Sequence, residues 1–546
     1  MRIRSSLAGV AVATAGAVAA VAAIAGAQAP PSPDAGATPG GARLVVHYER
    51  GKTEGDRRVQ RFLRRNRVLE QVSSYAGERI ALPHDIPPTG KSCGYANAFW
   101  DPETKTITYC YELVKQLKPV FRSQNTKGSP EQRTKATDED LIGLTNGVLF
   151  HELGHGLVQL YNLPITGKEE DAVDQLATLL LAGGDEEHVD YAISTINAWA
   201  GLTQADQAPG LREYSDEHSF SAQRYYNETC WLYGSNPKRY ADVVEKDGNP
   251  DGVLPQERAE RCPDEYRQLS QSWSTLLKPY WKKQAGAASP AAADDDPGKL
   301  VAVYEPGQTE ADRREERFLS RNRVLDRIAA DAGARIVLPD IIGVKATSCG
   351  EPNSFWRSYQ RQIVYCYEFA EKARKVFRQP DAQADGAKPT AAEVNEDVTG
   401  FTNAIVYHEL GHALIDLYDL PTTGKEEDAV DQLAVLLLTT GDDRHAGYVI
   451  DTINAWGGFA AADKADPNAT DGLDKYADEH SLDSQRFYNW ACWLYGSDPD
   501  AYADVVQNDD NPDGMLPSSR AAGCDNEYHR IDKAWKTLLK PYLKAR

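Results

Sequence analysis

The sequence predicts a helix-rich α+β domain with a small N-terminal sheet, built twice in tandem. Three observations carry that expectation. The opening Leu44-Val45-Val46-His47-Tyr48, a strand signal, recurs as Leu300-Val301-Ala302-Val303-Tyr304, and the recurrence runs on to the end of the chain. A hairpin pattern stands ahead of the first long apolar helix of each half. Beyond that helix, apolar residues return almost continuously at helical spacing.

Taken in order, residues 1–27 read as a signal peptide. Arg2 and Arg4 give a charged start, residues 7–25 an Ala/Val-rich apolar run, and Ala25-Gly26-Ala27 a small-x-small cleavage site. Residues 28–42 form a Pro/Ala/Gly leader, residues 43–283 a first domain, 284–298 a linker and 299–546 a second domain. In the first domain the spacing predicts one amphipathic helix over 54–75, then a strand at Arg79-Ile80-Ala81-Leu82 closed by Pro83. The hairpin joins Ala96-Asn97-Ala98-Phe99-Trp100 to Thr106-Ile107-Thr108-Tyr109-Cys110-Tyr111 through a turn at Asp101-Pro102-Glu103-Thr104-Lys105. A polar loop follows, and Thr137-Asp138-Glu139-Asp140 offers a helix start. Further helices are expected over 186–200, 216–233, 238–245 and 265–282.

The formal charge is −21, and loss of Arg2 and Arg4 with an acid-free leader makes the mature chain −23, which argues against nucleic acid as a partner. Asp56-Arg57-Arg58-Val59-Gln60-Arg61 is basic, but its copy Asp312-Arg313-Arg314-Glu315-Glu316-Arg317 interleaves acids, so both read as solvated helix faces. No stretch after the leader is apolar enough to span a bilayer, and an extracytoplasmic location is expected. Eight cysteines divide four to a half. Four cysteines allow three pairings. The expected one joins Cys93 to Cys110 and Cys230 to Cys262, repeated as Cys349 to Cys366 and Cys492 to Cys524.

The chemistry concentrates in His151-Glu152-Leu153-Gly154-His155 and its copy at His408-Glu409-Leu410-Gly411-His412. On a helix, residues i and i+4 share a face, so His151 and His155 can present two imidazoles to one ion, as His408 and His412 can. Glu152 and Glu409 then stand beside the metal as general bases. A second acidic helix opens near Lys168, where Glu170 offers a third ligand and Asp174, one turn on, an outer hydrogen-bond partner for a ligand histidine; Glu427 and Asp431 are the copies. One zinc ion per half, two per chain, is the expected cofactor. Oxyanion stabilisers are sought in Asp216-Glu217-His218-Ser219 and Arg224-Tyr225-Tyr226-Asn227, matched by His480, Arg486, Tyr488 and Asn489. Tyr225 becomes Phe487, which leaves His218 and Tyr226, with His480 and Tyr488, as the candidates.

The joined pattern His-Glu-Leu-Gly-His, Leu-Pro, Gly-Lys-Glu-Glu-Asp-Ala-Val-Asp-Gln-Leu-Ala, with Cys-Tyr-Glu upstream and Gln-Arg-(Tyr/Phe)-Tyr-Asn downstream, resembles a bacterial metallopeptidase family first catalogued as a domain of unknown function. More distantly it is similar to the gluzincins. The closer resemblance covers nearly all of each half and implies a zincin-like fold acting on peptides or proteins. It implies His151, His155 and Glu170 as zinc ligands, with Glu152 as base and Asp174 behind them, and His408, His412, Glu427, Glu409 and Asp431 in the second half. The gluzincin frame Glu-x-x-x-Asp favours Glu170 over Glu169, because Glu169 would pair with Val173. The duplication departs from the single domain usual in the family. Two rival readings are a zinc-containing binding module without turnover and a hydrolase of a non-peptide, cell-wall amide.

Overall fold

The computed structural model describes residues 43–203, 214–281, 298–379, 388–465, 473–509, 511–512 and 514–544. The expected signal peptide, leader and nearly all of the linker lie outside the described residues. The chain folds as two copies of one α+β arrangement.

The first copy opens with β1 (His47–Tyr48), α1 (Glu54–Arg65), α2 (Val68–Arg79), β2 (Pro88–Lys91), β3 (Ala98–Asp101) and β4 (Thr106–Cys110). The single expected helix over 54–75 is therefore two helices. Asn66 turns its side-chain amide back onto the Phe62 carbonyl at 2.9 Å, and Arg67 takes a left-handed conformation at φ 52°, which ends one helix and re-aims the next. The strand expected at 79–82 is the tail of α2 followed by an isolated bridge from Ile80 to Trp281; the strand forms instead at Pro88–Lys91. The sheet order is β1-β2-β4-β3, with β3 antiparallel to β4 and the other pairs parallel.

Next come α3 (Tyr111–Gln124) and α4 (Pro130–Tyr161). Residues 111–124 were expected to lead into a loop, yet Val114, Leu117 and Phe121 return at helical spacing and are buried. Helix α4 starts earlier than Thr137: Ser129 accepts from the Gln132 amide, Gln132 reaches back to Ser129, and Pro130 fills the first turn. Then follow α5 (Glu169–Ala182), α6 (Glu186–Leu202), α7 (Ser221–Ser235), β5 (Val244–Glu245), β6 (Leu254–Pro255) and α8 (Gln256–Leu277). The helix expected over 238–245 is a short 3-10 turn running into β5.

The second copy repeats this order as β7 (Leu300–Tyr304), α9 (Glu310–Arg321), α10 (Val324–Arg335), β8 (Ile342–Thr347), β9 (Ser354–Arg357), β10 (Gln362–Cys366), α11 (Tyr367–Phe377), α12 (Ala391–Tyr418), α13 (Glu426–Thr439), α14 (Asp443–Ala465), α15 (Asp483–Ser497), β11 (Val506–Gln507), β12 (Leu516–Pro517) and α16 (Ser518–Leu539). Its sheet has the same order, β7-β8-β10-β9. All four expected disulfides form: Cys93–Cys110, Cys230–Cys262, Cys349–Cys366 and Cys492–Cys524. In the first half, one bond staples the end of β4 to the approach of the hairpin and the other joins α7 to α8.

Each half buries its own apolar core around α4 or α12. The halves meet across a seam that repeats itself in reverse. The Thr166 amide donates to Thr423 Oγ1 and the Thr423 amide to Thr166 Oγ1, both at 3.0 Å. Gln432 brackets the backbone of Gly167 at 2.8 and 2.9 Å, and Gln175 that of Gly424 at 2.7 and 3.0 Å. The contact is isologous, as between the subunits of a two-fold dimer.

Candidate metal centre

Helices α4 and α5 build the first site, and a missing side chain sets their spacing. A Cβ on Gly154 would come within 2.9 Å of Val173, so only glycine lets α5 press against the turn between the two histidines. The copy is Gly411 against Val430, at 2.8 Å. That approach brings Glu170 across His151 and His155.

Three ring nitrogens surround the Glu170 carboxylate. His151 Nε2, His155 Nε2 and His218 Nε2 lie 3.2, 3.5 and 3.1 Å from Glu170 Oε2. In the second half His408 Nε2 and His480 Nε2 both stand 3.1 Å from Glu427 Oε2, and His412 Nε2 is 3.4 Å from Oε1. Each Oε2 is buried and makes no well-formed hydrogen bond of its own.

Behind each imidazole sits a carboxylate. His151 Nδ1 meets Asp174 Oδ1 at 2.7 Å, His155 Nδ1 meets Glu169 Oε1 at 2.8 Å, and His218 Nδ1 meets Asp216 Oδ1 at 3.0 Å. An ionised carboxylate only accepts, so each Nδ1 carries its proton, and each Nε2 points at Glu170. Asp431, Glu426 and Asp478 do the same for His408, His412 and His480, at 2.8, 2.7 and 3.0 Å. Convergent Nε2 atoms, an orphaned carboxylate oxygen and anchored Nδ1 atoms make a set that could hold a metal ion. His151, His155 and Glu170 offer ligand atoms within 4.8 Å of one another, and so do His408, Glu427 and His480.

The imidazoles and the carboxylate also shift one another's protonation. Burial works against protonating His155, but the Glu170 and Glu169 carboxylates outweigh it and hold the ring well above its ordinary range. Burial likewise opposes ionisation of Glu170, and the imidazoles of His218 and His155 override it. His480 is pushed up to about 10, first by Glu427.

Glu152 lies on α4 between the two histidines and is 6% exposed. Neither Glu152 nor Glu409 has a hydrogen bond or ion pair among the described residues, so both carboxylates are uncommitted. Burial pushes the Glu409 carboxyl up. Beside the helix runs β3, the antiparallel edge of its sheet, and Trp100 packs its ring against Gly156.

The residues expected from sequence separate here. Asp174 and Asp431 stand behind the first histidine of each motif, and His218 and His480 reach the centre from the loop before α7 or α15. Tyr226 and Tyr488 sit in the apolar clusters against Tyr225 and Phe487. Two residues carry more than their sequence positions suggested. Glu169 backs the second histidine, and its persistence as Glu426 was the available signal. Arg224 grips Asp174 at 2.6 and 2.7 Å while stacking on Trp199 at 3.7 Å, with Arg486, Asp431 and Trp456 repeating the arrangement.

No curated protein and no solved structure matches the chain. A family model described as "Putative metallopeptidase" matches residues 48–277 and again 304–539. Those two matches take in both sites, and the chain therefore belongs to that metallopeptidase family, in two tandem copies.

Proposed function

We propose that the protein is a secreted zinc-dependent peptide hydrolase with one catalytic site in each half. The observation that carries the reading is the joint presence of a His/His/Glu donor set and an uncommitted buried carboxylate beside it, made twice. Two imidazoles and a carboxylate suit zinc and leave a position open for reactants. A zinc ion held by His151, His155 and Glu170 would supply Lewis acidity, making water a nucleophile near neutral pH and polarising a carbonyl.

The chain's own groups do the rest. Glu152 takes the proton from the attacking water and delivers it to the leaving amine. His218, steadied by Asp216, turns its Nε2–H toward the oxyanion that develops on the carbonyl. Asp174 and Glu169 keep His151 and His155 in the tautomer that donates from Nε2. The open edge of β3 offers backbone groups to an extended peptide, the usual way a sheet edge takes up a strand. Export is supported by the leader sequence, by four disulfides and by the fact that no helix among the described residues is long and apolar enough to cross a membrane.

A second reading has its own observation. His218 Nε2 stands as close to Glu170 as the motif histidines do, so it can serve as a fourth ligand and close the site for structure alone. Metal analysis and a peptide-library assay on the mature chain separate the two. The catalytic reading expects about two zinc ions per chain, chelator-sensitive cleavage, and a His218→Ala, His480→Ala variant that keeps its zinc while cleavage falls. Loss of zinc from that variant, with no cleavage by the parent chain, would establish the closed site.

A further inference from the structure

Glu169 and Glu426 each divide their two oxygens between the halves. Glu169 Oε1 holds His155 Nδ1 at 2.8 Å, while Oε2 faces Arg530 Nη1 at 3.5 Å. Arg530 belongs to α16, the last helix of the other half. Glu426 Oε1 holds His412 Nδ1 at 2.7 Å, and its Oε2 accepts from Gln268 on α8, again the last helix of the other half. Gln268 also donates to Thr422 Oγ1 at 3.3 Å. Arg530 and Gln268 occupy the same position in the two copies, six residues after Cys524 and Cys262.

The seam keeps this exchange in register. Gln175, which brackets Gly424, directly follows Asp174, and Gln432, which brackets Gly167, directly follows Asp431. One helix in each half therefore carries the metal-facing glutamate, both outer carboxylates and the residue that clasps the other half.

We propose that each half completes the other's metal centre, with Arg530 positioning Glu169 behind His155 and Gln268 positioning Glu426 behind His412, and that the Arg/Gln difference makes the two centres unequal. The inference rests on the metal reading of both sites. The physical ground is charge. A guanidinium on Glu169 drains the carboxylate's pull on the His155 Nδ1–H and adds a positive charge near a bound cation. A neutral amide on Glu426 does neither. The first centre thus holds a divalent ion more weakly than the second.

The test is zinc affinity of the full chain, read by competition with a chromophoric chelator. His408→Ala isolates the first centre and His151→Ala the second. Adding Arg530→Gln to the first background should tighten its zinc binding about tenfold, and adding Gln268→Arg to the second should loosen it by about the same factor. Arg530 has a side chain 58% exposed, so its replacement leaves the core intact. A contact that merely glued the halves together would give no change or a loosening on Arg530→Gln, and either result overturns the proposal while leaving the metal reading in place. A chain that takes up no zinc dependent on His151 and His408 overturns both.

Discussion

Arg224 clamps Asp174 through two contacts, Nε to Oδ2 at 2.7 Å and Nη2 to Oδ1 at 2.6 Å, while the same Oδ1 takes the His151 Nδ1–H at 2.7 Å. The arginine never reaches the metal-facing atoms. It fixes the residue that fixes His151, and Arg486 repeats the arrangement on Asp431 and His408.

Arg224→Met should therefore act on metal binding before it acts on chemistry. Outer partners of a ligand histidine are worth about 10–100-fold in metal affinity, and a buried carboxylate left without its cation costs about 3 kcal/mol of stability. Zinc titration and thermal unfolding should both shift. Unchanged zinc affinity would reduce Arg224 to a packing residue.

The seam between the halves gives a second prediction. Gly167 sits at φ 66°, and a Cβ there would fall 2.7 Å from the Thr423 carbonyl oxygen, an atom of backbone that has little room to move. Gly167→Ala should lower the unfolding midpoint, with at least about 1 kcal/mol from the left-handed backbone alone. Gly333→Ala is the control: that glycine lies in a helix, a Cβ there meets nothing within 4 Å, and the change should be neutral or stabilising. Equal effects at the two positions would contradict the seam.

The second half carries a half-buried acid, Asp451, at a position where the first half has none. Burial, reinforced by Asp397 and Glu396, pushes the Asp451 carboxyl up to about 8, and burial with Glu396 and Glu393 pushes Asp397 up to about 6. The first half has Ser194 at the position of Asp451. The folded chain keeps the Asp451 proton between about pH 4 and 8, where the unfolded chain has released it, so stability falls as pH rises through that window. Asp451→Asn should raise the unfolding midpoint at pH 9 more than at pH 5. A pH-independent difference would show that Asp451 ionises normally.

The proximity of the candidate ligand residues was legible because it is local. Two histidines one turn apart on an apolar helix, and a glutamate one turn before an aspartate, are spacings a helix converts directly into geometry. The break at Asn66-Arg67 was hidden because the apolar positions continue past it, and a left-handed arginine has no sequence signature. Helix α3 was masked by Pro119 and by many polar residues, though Val114, Leu117 and Phe121 keep its period. The earlier start of α4 was written in Ser129-Pro130-Glu131-Gln132, a capping box with proline at the first position. The seam and the Arg530 and Gln268 contacts join positions more than 150 residues apart, and no local pattern marks them.

The double variant Glu152→Gln, Glu409→Gln separates catalysis at the two centres from metal binding alone. Glutamine keeps the shape of each side chain but cannot take a proton, and neither carboxylate belongs to the proposed ligand set, so both centres should still load zinc. The expected result is about two zinc ions per chain and cleavage of a peptide library reduced by a factor of about 100 or more. Full cleavage by the zinc-loaded double variant would contradict it.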